Sequence, residues 1–398
     1  MAVVHVQREG ATALTGRTPS TNHSPNFDNL RRAVLRRGPP GPVPFFETTA
    51  DPAMIEVVLG EKFDLDGALA AALSGEAVSA ALRNRRNLER LMDMNLRFWL
   101  EAGYDCVPMF PGIDFPFSNI RLAADTAALP NWSHGLRHWQ NEMTGPIQSW
   151  ADFESYRWPK PEETEYAGIE YLNSVVPDGI KVSVSLGGIL AMVSWLMGLQ
   201  PLSYALYEQP DLIAALCERV GAVFLAAAAH VSTVDNVGML VVSDDMGFSG
   251  GTLISPEMLR RYVFPYHRRL CETAHKTGRL AILHSCGNLG SVMDDVIDAG
   301  FDGKHSFEDK IMPVEEAYRR WGDQIAILGG LDMDLLARGS EEQVRSRTRE
   351  VLDVCGAAGT GYALGTGNSV ANYIPPENYL AMLDEGGRWN REHFGSPA

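Results

Sequence analysis

Leu280-Ala281-Ile282-Leu283-His284-Ser285-Cys286-Gly287 is an apolar run that stops abruptly at an imidazole and a thiol two residues apart. Strand alternation puts His284 and Cys286 on one face. A parallel barrel assembles its active site from the C-terminal ends of its strands, and imidazole with thiolate is a soft donor pair of the kind zinc takes. The stretch therefore predicts a location and a chemistry together.

Working outward, seven further short apolar runs end in the same way, at residues 43–47, 106–110, 181–186, 239–243, 303–307, 325–328 and 362–364. Between them lie stretches with apolar residues at helical spacing, among them 26–37, 64–102, 202–231, 256–277, 289–299 and 341–357. Strand and helix in alternation predict an α/β chain folded as a (β/α)8 TIM barrel with an N-terminal helical extension. Gly103, Gly278, Gly300 and Gly322 stand where left-handed helix caps are wanted. Residues 1–25 are polar and aperiodic and read as a loose arm, leaving 26–398 as one barrel domain. The long segment 111–162 holds Phe115, Phe117, Trp132, His134, His138, Trp139 and Trp150, and reads as a lid between the second strand and its helix.

The 398 residues are 45% hydrophobic and 21% charged, the composition of a globular protein with a sizeable core. A formal charge of −16 repels nucleic acid and anionic membrane surfaces. The N-terminus lacks a basic-then-apolar leader pattern, so the chain is expected to be cytoplasmic. Its cysteines, Cys106, Cys217, Cys271, Cys286 and Cys355, are odd in number and widely spread, which suits reduced thiols better than a disulfide framework. Cys286 alone sits at a strand end.

The eight strand mouths carry Glu47; Asp114; Ser185 with Gly187 and Gly188; Asp244 with Asp245; His284 with Cys286; His305 with Glu308 and Asp309; Asp332; and Asn368. Helix caps also favour Asp, Ser and Asn, so Asp114, Asp309 and Asp332 stand as evenly for caps or loop residues as for members of the site. A His-x-Cys pair supplies two metal ligands where a zinc site normally needs three. By location the third comes from Asp244, Asp245, Glu308 or His305. Zinc on a thiolate binds and deprotonates a substrate thiol or hydroxyl; without metal, the same groups would place a proton donor and acceptor for decarboxylation or hydrolysis. Glu47, Trp139, Phe248, His305 and Tyr373 are the candidate substrate-binding residues, with Asp244, Asp245, Glu308 and Asn368 the candidate catalytic ones. The glycine-rich pieces 185–188 and 364–369 allow close backbone approach to a ligand.

Taken together, these segments resemble the uroporphyrinogen decarboxylase superfamily, and within it the methylcobamide-dependent methyltransferase branch. The resemblance rests on Gly145-Pro-Ile-Gln-Ser-Trp-Ala-Asp-Phe153 with Trp158-Pro159, and on Gly187-Gly188 before a helix carrying Trp195 and Gly198. Asp244-Asp-Met-Gly247 before Ile254-Ser-Pro256, His284-Ser-Cys-Gly-Asn288 and Glu377-Asn378 complete it. It implies an enzyme that moves a methyl group between a small O-, N- or S-methyl compound, an aryl methyl ether (O-demethylation) included, and a corrinoid protein. The implied cofactor is zinc, on a His-x-Cys pair that His284 and Cys286 match. Counting back from Glu377, the later cysteine of that branch falls near Asn368, so the third ligand would have moved. The cobalamin would come on a partner, since the sequence has no DxHxxG signature, and a homodimer is one assembly open to the chain. The alternatives are a decarboxylase, although the arginine-rich motif of that branch is replaced by Phe46-Glu-Thr-Thr-Ala-Asp51, and a metal-free ligand-binding member.

Overall fold

The computed structural model describes residues 24–61, 85–124 and 136–395. Residues 1–23 of the expected arm, the first half of the expected helix 64–102, and Trp132 and His134 of the expected lid lie outside them. The strands in chain order are β1 (Cys106–Met109), β2 (Ile120–Ala124), β3 (Leu136–Gln140), β4 (Lys181–Gly187), β5 (Val237–Ser243), β6 (Gly247–Phe248), β7 (Gly251–Thr252), β8 (Leu280–His284), β9 (Gly303–His305), β10 (Ala326–Leu328) and β11 (Tyr362–Ala363). Seven of them form one parallel sheet in the order β1-β4-β5-β8-β9-β10-β11. Helices connect them, as parallel strands require.

The sheet curls. Cys106 of β1 and Ala363 of β11 lie on its two outer strands, yet both belong to one buried cluster with Met239, Val241, Leu280, Ile282, Ala326 and Leu328. The alternate residues, such as Leu240, Val242, Ala281 and Leu283, pack outward in the larger cluster beneath the helices. Helix Phe27–Leu35 sends Phe27, Leu30 and Val34 into the inner cluster. It is bonded to the turns before four strands: Phe27 N–H to Gly179 O, Gly361 N–H to Ala33 O, Arg31 to Gly278 O and Arg36 to Gln324 O. The N-terminal end of the sheet is thereby covered, and the opposite end carries the polar residues.

The expected first strand, 43–47, is extended but joins the sheet through a single parallel bridge, Phe45 to Leu364. Phe46 N–H donates to Leu364 O and Leu364 N–H to Pro44 O, both close to 2.9 Å or below. Pro42 and Pro44 have no N–H to continue a ladder, which is why the segment counts as a bridge rather than a strand.

Other departures have local causes. The expected helix 202–231 is two, Leu199–Glu208 and Pro210–Val231, because Pro210 starts a new helix after the non-helical Gln209. The expected helix 256–277 likewise breaks at Val263 before Pro265. Gly103, Gly278 and Gly300 have positive φ, whereas Gly322 is right-handed at φ −62. Residues 111–162 contain the antiparallel pair β2–β3, tied down where the Gln140 side chain donates to Ser194 O. Helix Pro210–Val231 is long and apolar enough to cross a membrane by composition, but half of its apolar window is buried inside the molecule.

Candidate active site

Registers of β5, β8 and β9 place Ser243, His284 and His305 side by side at the C-terminal end of the sheet. Each continues the inward-facing row of its strand, so the polar layer sits directly above Val241 and Ile282. Ser243 pairs with Ser185 of β4, hydroxyl to hydroxyl, at 2.7 Å. His284 and His305 meet Nδ1 to Nδ1 at 2.8 Å, and His305 Nε2 lies 3.2 Å from the Thr366 carbonyl. Thr366 in turn donates its N–H and hydroxyl to the two oxygens of Glu47, at 2.6 and 2.8 Å. Burial holds both imidazoles below their ordinary pKa, with the neighbouring Lys304 adding to it, and pushes the Glu47 carboxyl up to about 8 against the two Thr366 hydrogen bonds.

On its other side His284 faces the strand-end loops. Its Nε2 is 3.9 Å from Cys286 Sγ and 3.9 Å from Asp245 Oδ1, and the three donor atoms lie within 4.8 Å of one another. Ligands sharing a tetrahedral zinc sit about 3.5 Å apart, so a small contraction would bring this set onto one ion. Asp245 is fixed by the Cys286 N–H, which donates to it at 2.8 Å. Asn368 Nδ2 donates to Cys286 Sγ at 3.3 Å. Burial pushes the Cys286 thiol up to about 12, and the Asp245 charge and hydrogen bond push it the same way. A cation between the three groups would reverse that. Burial also pulls the Lys304 amine down to about 8; its Nζ donates to Ser306 O and lies 4.1 Å from the centre of the Phe307 ring.

The donor chemistry fits zinc on Asp245, His284 and Cys286. The other candidate third ligands are engaged elsewhere or lie apart. His305 uses both ring nitrogens. Asp244, adjacent in sequence, faces the opposite way: its carboxylate accepts from the N–H groups of Ile189, Leu190 and Ala191 and from His267 Nε2, all fully or largely buried. It caps helix Ile189–Met197 at its positive end. Glu308 is half-buried beside a water-sized cavity of about 20 Å³ lined by Gly287, Lys304 and Ser306.

The remaining residues separate in the same way. Asp332 caps helix Met333–Arg338 through Leu335 N–H, Asp309 pairs with Arg347, and Asp114 pairs with Arg157 at the surface. Glu47 is fully buried beneath the mouth. Phe248, 52% exposed, tips the β6–β7 hairpin beside Cys286, and Tyr373 is half-buried against the core. The Trp139 backbone is in β3, and its side chain lies outside the described residues. Sequence reasoning did not find Thr366, Ser306, Lys304 or His267. Thr366 was within reach, because it sits between Gly365 and Gly367 in the loop already singled out.

Residues 139–389 match the uroporphyrinogen decarboxylase (URO-D) family model. The chain is 27% identical over 337 residues to a methylated-thiol–coenzyme M methyltransferase of Methanosarcina mazei, covering 79% of this chain and 87% of that one. It is 26% identical over 294 residues to a uroporphyrinogen decarboxylase of Anaeromyxobacter dehalogenans, covering 71% and 80%. A methylcobamide:CoM methyltransferase of Methanosarcina barkeri matches at 24% over 159 residues, 40% of this chain and 44% of that one. Among solved structures, a methyltransferase from Methanosarcina mazei superposes with a TM-score of 0.59 at 16% identity, covering 91% and 98%, which is a likeness of fold.

Proposed function

The chain belongs to the uroporphyrinogen decarboxylase family, and from that premise we propose that it is a cytoplasmic methyltransferase. It would move a methyl group between a small O-, N- or S-methyl compound, an aryl methyl ether among them, and a corrinoid carried by a partner protein. The observation that carries this is the convergence of Asp245, His284 and Cys286 at the strand ends, with Asn368 donating to the sulfur. The methyltransferase relatives support the same reading.

In this reading the sheet works as a (β/α)8 barrel with 43–47 as its eighth stave, and 111–162 forms the lid. Asp245, His284 and Cys286 would hold zinc, which when bound supplies a Lewis acid that lowers the pKa of a substrate thiol or hydroxyl. Asn368 tempers the negative charge on the Cys286 sulfur by its N–H. Phe248 and Tyr373, with Trp139 from β3, would wall the pocket and exclude water, and Glu308 would serve proton transfer at its rim. Asp244 belongs to the frame: it fixes the start of helix Ile189–Met197, and with it the turn that presents Asp245.

The test is direct. Purified protein is expected to contain about one zinc per chain, and the His284→Ala protein none. Methylcob(III)alamin mixed with the protein and a panel of thiols is expected to lose its visible spectrum in favour of cob(I)alamin. Zinc-free wild-type protein would remove the metal from this account. Inertness across thiols and methyl ethers would turn it to the second reading, decarboxylation of a tetrapyrrole carboxylate, which the decarboxylase relatives favour.

A further inference from the structure

Three residues beneath the mouth form a chain of hydrogen bonds that ends on His284, and the direction of every bond in it follows from the chemistry. The Thr366 carbonyl can only accept, so the hydrogen between it and His305 is on His305 Nε2. His305 is wholly buried, and no carboxylate oxygen bonds it among the described residues. A neutral imidazole has one ring hydrogen, so His305 Nδ1 offers a lone pair. His284 Nδ1, 2.8 Å away, is then the donor. With its one hydrogen spent there, His284 is left with a bare lone pair on Nε2, the atom that faces Asp245 and Cys286.

We propose that Glu47, Thr366 and His305 are a positioning relay that holds His284 in this one tautomer, ready to donate its Nε2 lone pair to a metal ion. The proposal rests on the metal reading above for its purpose, but not for its geometry. Each member is locked. Glu47 grips Thr366 with both oxygens, on the N–H and on the hydroxyl, so the Thr366 carbonyl cannot swing away from His305. The His305 ring meets the edge of Phe46 at 5.6 Å between centroids. Gly329, at φ +74, leaves room for it: a Cβ there would lie 2.7 Å from His305 Cδ2 and Nε2. Glu47 follows Phe46, whose N–H is bonded to Leu364, so the relay starts on the segment that bridges to the last strand of the sheet. Ligand histidines usually donate their second ring N–H to a carboxylate, a carbonyl or water, and here another histidine takes that N–H.

The experiment reads the tautomer before any metal is added. In metal-free protein labelled with ¹⁵N in its histidine rings, two-bond ¹H–¹⁵N spectra are expected to show His284 protonated at Nδ1 and unprotonated at Nε2, the less common form in solution. In His305→Phe, His284 should shift towards the Nε2-protonated form, and its zinc dissociation constant, measured by chelator competition, should rise 10- to 100-fold. Glu47→Ala should show a smaller rise, while Glu47→Gln, which keeps an acceptor for the Thr366 N–H and a partner for its hydroxyl, should stay within about threefold of wild type. Melting curves report whether each variant is folded, and the wild-type spectrum stands whether or not a variant folds. A wild-type His284 protonated at Nε2, or a folded His305→Phe with unchanged His284 signals and unchanged zinc affinity, would overturn the relay. The expected tautomer in a protein that binds no zinc would uphold the relay and remove the metal reading instead.

Discussion

The Asn368 side chain donates its amide hydrogen to the sulfur of Cys286 across 3.3 Å, at the position where the sequence resemblance implies a cysteine. An amide nitrogen offers no lone pair to zinc, so in the proposed site the third ligand would be Asp245. Asn368→Cys would place a thiol against the same centre. Zinc affinity should then rise at least tenfold, about 1.4 kcal/mol, as measured by chelator competition at pH 7. Unchanged affinity would show that residue 368 lies outside the reach of the ion.

Asp244 and Asp245 should fail in different ways. Removing the Asp244 carboxylate leaves three buried amides and His267 without their acceptor, a loss of about 3–5 kcal/mol. Asp245 is more than half exposed, and Asp245→Ala should cost about 1 kcal/mol of stability while removing zinc binding. Urea unfolding beside metal titration separates the two, and equal destabilisation would refute the division.

Glu47 makes stability depend on pH. Its carboxyl is raised to about 8 in the folded protein from the 4.5 of an exposed glutamate, so the native state holds the proton more tightly than the unfolded chain does. The contribution is fully present below pH 4.5 and is lost as pH rises through 8. Wild type should therefore lose on the order of 3 kcal/mol relative to Glu47→Gln between pH 5 and 8. Parallel unfolding curves for the two proteins at both pH values would refute this.

Zinc should stabilise the fold through the same three ligands. At one hundred times its dissociation constant it adds about 2.7 kcal/mol, visible as a higher melting temperature that a chelator reverses. His284→Ala and Cys286→Ser should lose the shift. Asp309→Ala, which breaks a surface-side pair with Arg347, should keep it. A shift that survives His284→Ala would place the ion elsewhere.

Gly287→Ala tests the packing of the mouth. Gly287 has φ +82, and a Cβ there would lie 2.2 Å from the Gly247 carbonyl carbon. The substitution should cost about 1–3 kcal/mol and displace the Phe248 hairpin, read as a change in protease sensitivity around residues 247–252. An unaltered digestion pattern and melting temperature would count against that contact.

Much of this arrangement was legible in the sequence, and particular residues show where legibility stops. Strands 237–243 and 280–284 are near-continuous apolar runs up to their last residue, and 181–187 interrupts its valines only with small serines, as buried parallel strands allow, so their reading was nearly complete. The segment 43–47 has the same composition, but Pro44 withholds a hydrogen bond that no apolarity pattern records. Asp244 and Asp245 looked equivalent as neighbours. Alternation continued past Ser243 does distinguish them, sending Asp244 out to the helix and Asp245 back to the mouth. The relay was beyond reach for a different reason: Glu47 and Thr366 are 319 positions apart, and a contact of that separation leaves no local mark.

The loops after β5 and β8 are stitched to each other for five residues beyond β5 and four beyond β8. Asp244 N–H donates to His284 O, Met246 N–H to Ser285 Oγ, Cys286 N–H to Asp245 Oδ1, and Asn288 N–H to Phe248 O. The two loops are in effect one rigid jaw, and the metal-ready atoms stand on both sides of its seam. An ion there would act as a rivet across the seam. Its removal would be felt as a joint loosening of residues 244–248 and 284–288, so their amide hydrogens would exchange in step.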